Sequence, residues 1–200
     1  MTRLTILVFF FIFWTGEQIG DFKLLTDCKA GNRYKLSTGE EIVTDCELSN
    51  GLSWIVGWNP ENFIGLRDSE GILAMINYKN KGEDGYIINT KVYSDQASNE
   101  YIMVCVFGEE DGDWGFQFFR VKNNIVKPIG NISLTEYSID QGDYSQAPED
   151  KLTLKRGPTG LEIDFQKNKY QIWDKAEKKW IVIESALHYR ETNGAIVQLD

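Results

Sequence analysis

The segment Trp180-Ile-Val-Ile-Glu-Ser-Ala-Leu-His-Tyr-Arg190 sorts its side chains with a period of two. Ile181, Ile183, Leu187 and Tyr189 fall on one side, and Glu184, His188 and Arg190 on the other. A strand with one face in a core and one in water reads this way, because successive side chains point to opposite faces. The same period recurs through almost all of the chain after residue 30. It marks candidate strands at Tyr34–Leu36, Glu41–Asp45, Leu52–Gly57, Ile72–Tyr78, Tyr86–Tyr93, Glu100–Phe107, Trp114–Lys122 and Ile125–Ile132. Further candidates are Leu152–Lys155, Leu161–Gln166, Lys169–Trp173, Trp180–Tyr189 and Ala195–Leu199. β-Branched and aromatic residues fill these runs.

Turn residues separate them. Asp84-Gly85 and Asn193-Gly194 suit tight turns that need positive φ, and Asn123-Asn124 and Lys167-Asn168 each divide two runs by two residues. Hairpins in series imply an all-β, antiparallel sandwich or barrel. Residues 17–29 place Ile19, Phe22 and Leu25 at helical spacing, which predicts at most a short terminal turn. Leu134–Lys151 breaks the alternation and reads as a loop, rich in acids beside Tyr137 and Tyr144. No internal repeat or Pro/Ser-rich linker divides the chain, so residues 21–200 read as a single all-β domain.

The first 20 residues read differently. Arg3 precedes Leu4–Trp14, which is apolar except for Thr5, and polar Thr15, Glu17 and Gln18 follow. Charge, apolar core and polar boundary together predict a secretory signal peptide, with Gly16 and Gly20 as small residues for the cut. The run is shorter than the ~20 residues of a comfortable membrane span. The expected address is extracytoplasmic, periplasmic or secreted, with no stable membrane span after processing. In an oxidising compartment Cys28 and Cys46, close in sequence among polar residues, are natural disulfide partners. Cys105 lies within the apolar run Tyr101-Ile-Met-Val-Cys-Val-Phe107 and reads as a small buried hydrophobe.

A formal net charge of -9 repels phosphate backbones, and no basic stripe offsets it, so nucleic-acid binding is not expected. Aromatic residues make up 13% of the chain, enough to build a large core with rings to spare for recognition. Trp54 and Trp58 share a face of one strand, and Trp114 shares one with Phe116 and Phe118. These tryptophans, with Tyr137 and Tyr144, are the candidate binding residues for a protein or glycan partner. Asn131-Ile132-Ser133 is a glycosylation sequon.

Chemistry is sparsely signalled. The single histidine, His188, falls on the polar side of its strand, and one His excludes a His-rich metal site. Glu109, Asp111 and Asp113 form an acidic turn, an alternative metal site of oxygen ligands that lacks a complete calcium-loop series. No cofactor is expected. Leu161-Glu-Ile-Asp-Phe-Gln166 puts Glu162 and Asp164 on one face, about 7 Å apart by strand rise. This string resembles the first part of the E-x-D-x-x-E or E-x-D-x-E motif of laminarinase-like glycoside hydrolases. That resemblance implies carbohydrate hydrolysis by paired carboxylates. Gln166 and Lys167 stand where the acid/base glutamate belongs.

The leading expectation is therefore an exported, non-catalytic binding or interaction domain. The alternatives are a carbohydrate hydrolase using Glu162 and Asp164, and a barrel that carries an apolar ligand.

Overall fold

The computed structural model describes residues 21–29, 33–48, 51–58, 62–77, 86–95, 98–109, 112–137, 146–174 and 176–199. The strands in chain order are β1 (Lys23–Lys29), β2 (Tyr34–Lys35), β3 (Glu41–Glu47), β4 (Ser53–Trp58), β5 (Asn62–Arg67), β6 (Ile72–Asn77), β7 (Tyr86–Asp95) and β8 (Glu100–Glu109). They continue with β9 (Gly112–Lys122), β10 (Ile125–Ile132), β11 (Leu134–Glu136), β12 (Leu152–Arg156), β13 (Leu161–Asp174), β14 (Lys179–Thr192) and β15 (Ala195–Leu199). One 3-10 turn spans Glu149–Lys151. All strand pairs are antiparallel, and they form three sheets rather than a closed barrel.

The central sheet has the order β1-β7-β8-β9-β10. It is buried on both faces, and β8 shows why its sequence is apolar without alternation. Ile102, Val104 and Val106 point into one core, shared with Leu154, Ile163, Phe165, Tyr170 and Leu187 of the C-terminal sheet. Tyr101, Met103 and Cys105 point into the other, shared with Trp54, Val56, Ile64 and Leu66 of the N-terminal sheet. A strand covered on both sides has no face left for polar residues. The C-terminal sheet alternates: in β14, Leu187 and Tyr189 are buried while His188 is exposed.

The C-terminal sheet runs β11-β13-β14-β15, with β12 also paired to β13. The N-terminal sheet runs β2-β3-β4-β5-β6. Its far face carries a smaller cluster of Ile42, Ile55 and Phe63. Glycine makes that face fit: a Cβ on Gly57 would lie 2.5 Å from Phe63 Cζ and 2.5 Å from the Glu41 carbonyl oxygen. The Cys28–Cys46 disulfide ties β1 in the central sheet to β3 in the N-terminal sheet, with Cα atoms 5.8 Å apart, as a disulfide requires. It is therefore a staple between layers.

Several expectations are corrected. Residues 17–29 do not hold a helical turn where described, since Lys23–Lys29 is a strand. Lys167-Asn168 is not a hairpin turn. β13 runs straight through it, and the register against β14 shifts between Phe165 and Asn168, a bulge that absorbs the extra residues. The stretch 134–151 contains β11 and the 3-10 turn. β5 went unread because Asn62-Phe-Ile-Gly-Leu-Arg67 is buried on both faces at its centre and does not alternate. The turns at Asn123-Asn124 and Asn193-Gly194 are as expected, with φ of 51°, 59°, 52° and 77°. Residues 1–20, expected to be a signal peptide, and the expected Asp84-Gly85 turn lie outside the described residues.

Candidate functional site

The outer face of the C-terminal sheet carries the two carboxylates singled out by their spacing. Register sets their partners: Glu162 lies between Lys155 and Arg190, and Asp164 between Thr153 and His188. Arg190 Nη2 donates to Glu162 Oε1 at 2.9 Å, and Arg190 Nε to the same oxygen at 3.2 Å. Lys155 Nζ donates to Asp164 Oδ2 at 2.8 Å, and His188 Nδ1 lies 2.8 Å from Asp164 Oδ1. Burial pushes the Asp164 carboxyl up, but the hydrogen bonds from Lys155 and His188 outweigh it and hold it below its ordinary range. A glycosidase acid must stay protonated near neutrality, so this arrangement favours the ionised form that such an acid must avoid.

The expected aromatic residues do not converge. Trp54 is wholly buried, its ring 5.9 Å from that of Phe119. Trp58 is exposed at the end of β4 in the N-terminal sheet. Tyr137 is half-buried beyond β11, with Lys169 Nζ 4.0 Å from its ring centroid. Asp111 and Tyr144 lie outside the described residues, as do the side chains of Glu109, Asp113 and Trp114. Sequence reading missed Trp173 and Trp180. These are direct cross-strand partners, 5.7 Å apart and edge-to-face, at the free end of the β13–β14 hairpin. Their placement on either side of the Asp174–Lys179 turn was the available signal.

The central and C-terminal sheets are joined at one edge and parted at the other. At the joined edge Asp21 bridges Lys155, and the Phe22 N–H donates to the Leu154 carbonyl at 3.2 Å. At the parted edge β10 and β15 approach without a ladder among the described residues. There the bare backbone of Gly130 lies against Ile196. The chain then crosses from β10 to β11 directly over Gly115, where a Cβ would meet the Ile132 carbonyl at 2.1 Å. The Trp173 N–H donates to the Ser133 carbonyl at 3.4 Å and holds the crossing to the hairpin end.

Between these segments opens a cleft of about 320 Å³. Ile132, Ile172 and Ile196 supply apolar surface, and Asn131, Ser133, Tyr189 and Gln198 supply polar groups. Tyr189 and Gln198 are cross-strand partners, so one face of the sheet presents both. Burial pushes the Tyr189 phenol up to about 12, which keeps it protonated at any physiological pH. Its ring stands edge-on to Phe165 at 6.1 Å, which fixes its orientation. Asp174 stands at the cleft's end, and its Oδ1 already accepts the N–H groups of Ala176 at 2.8 Å and Glu177 at 3.1 Å.

A second polar assembly lies at the edge of the same two sheets. Glu100, its side chain only 3% exposed, faces Arg120 at 2.8 Å, Arg156 at 3.1 Å and Lys122 at 3.5 Å. Arg156 also holds Asp95 at 2.8 Å, and Arg120 holds Glu191 at 2.6 Å. Every charge in this network has an opposite neighbour, so it clamps the central sheet to the C-terminal sheet. Among the described residues no cluster of three or more His, Cys, Asp or Glu side chains is placed to hold a metal ion, and no helix is long and apolar enough to cross a membrane. Compared with known proteins, no family model, no curated protein and no solved structure matches the chain.

Proposed function

We propose that this chain is an exported, non-catalytic binding domain whose ligand site is the cleft between β10, β15 and the end of the β13–β14 hairpin. The observation that carries the reading is the chemistry of that cleft. It is a concave opening with apolar surface and a few converging polar groups, as small-molecule sites have. Its described lining offers hydrogen bonds without a histidine, a cysteine or a pair of free carboxylates. The Cys28–Cys46 bond supports an oxidising, extracytoplasmic compartment. The hydrolase alternative loses support because Glu162 and Asp164 are each held by cationic partners. The carrier alternative loses support because Phe116, Phe118, Phe165 and Tyr170 fill the space between the two sheets.

A photo-crosslinker placed at Gln198 tests the reading, with one at Thr153 on the opposite face as control. Irradiated in the native envelope or medium, the Gln198 protein should capture a defined species that the Thr153 protein does not. Equal capture at both positions, or none at either, refutes the cleft as the site.

A further inference from the structure

We propose that the cleft takes a neutral sugar ring. The inference rests on the reading of the cleft as a ligand site and narrows it to one chemistry. Apart from Asp174, the described lining residues are uncharged, and their polar groups are amides and hydroxyls. The one carboxylate among the described lining residues, Asp174, spends an oxygen on its own turn. What remains is neutral and two-sided. Asn131 and Gln198 each offer an amide donor and an amide acceptor, and Ser133 and Tyr189 each offer a hydroxyl. A sugar hydroxyl also both donates and accepts, and neighbouring hydroxyls on a ring match the paired oxygen and nitrogen of a carboxamide.

The apolar part fits the same ligand. Ile132, Ile172 and Ile196 give a surface for the C–H face of a pyranose. The volume of about 320 Å³ sits at the small end of ligand pockets, which limits the occupant to one or two rings. Tyr189 is held edge-on against Phe165, so its ring is ordered before a ligand arrives.

The test is a set of ¹H–¹⁵N titrations of the purified protein. The neutral probes are the methyl glycosides of glucose, galactose, mannose and N-acetylglucosamine. Glucose 1-phosphate, a capped dipeptide amide and a short fatty acid serve as the other classes. At least one neutral glycoside should shift the amides of residues 131–133 and 196–198, with glucose 1-phosphate at least tenfold weaker. Gln198→Ala should weaken that binding about tenfold. Ser133→Ala should do so more mildly if the first variant folds poorly. Shifts at these amides from the dipeptide or the fatty acid, with none from any glycoside, overturn the sugar and leave the cleft as a site. No shift from any probe overturns both.

Discussion

Reducing the Cys28–Cys46 bond should lower stability by about 3 kcal/mol. The bond closes a loop with a sequence separation of 18. The chain-entropy relation for a loop of that length gives a denatured-state entropy loss of about 11 cal/mol/K, or about 3 kcal/mol at room temperature. With a urea dependence of roughly 2 kcal/mol/M, expected for a domain of this size, the midpoint should fall by about 1.5 M. Trp54 is the natural reporter, because it is the direct cross-strand neighbour of Cys46 and is wholly buried between the central and N-terminal sheets. The assay is urea unfolding followed by tryptophan emission, with and without a phosphine reductant, and with mass spectrometry to confirm reduction. Cys105 supplies an internal control. It is buried, and burial pushes its thiol up to about 12, so it should resist alkylation in the native protein and react only on unfolding. A midpoint that moves by less than about 0.3 M on verified reduction would refute the view that this bond staples two layers by restricting the unfolded chain.

Other perturbations probe the clamp, the glycine contact and the surface pairs. Glu100→Gln removes a charged partner from Arg120 and Arg156, which keep Glu191 and Asp95, and urea unfolding should show a loss of about 1–3 kcal/mol. Gly57→Ala puts a methyl group into Phe63 and the Glu41 carbonyl, and should cost about 1–3 kcal/mol in the same measurement. Asp164→Asn tests the outer-face pairing by its pH dependence. The folded carboxyl lies below its unfolded value, so its stabilisation is present above the unfolded pKa of about 3.9 and is lost as pH falls through the lower folded value. The melting-temperature gap between the native chain and this variant should therefore exist at pH 7 and close in stronger acid. A gap unchanged at both pH values would contradict the assignment.

The strand content was legible because alternation is local. The faces of β14 followed from its own residues, and Asn123-Asn124 and Asn193-Gly194 announced their turns through the conformations those residues tolerate. Where alternation was absent, local reading failed in a consistent way. The continuous apolar run of β8 marked a strand but did not reveal two covering layers. β5 was lost for the same reason, and the bulge in β13 was mistaken for a turn.

The candidate site was hardly legible at all. The cleft gathers residues from positions 131–133, 172–174, 176, 189, 196 and 198, which meet only because β10 leaves one sheet where β15 ends another. Glu162 and Asp164 stood out by spacing, yet their partners Arg190, Lys155 and His188 came from register. The amino-acid sequence alone determined an antiparallel β chain and the Cys28–Cys46 pair. The tertiary structure decided three layers over a barrel, a locked carboxylate pair over a free one, and the place of the cleft. Side-chain period is a property of one strand, whereas burial on a second face, ion pairing and an opening between sheets exist only once strands have neighbours.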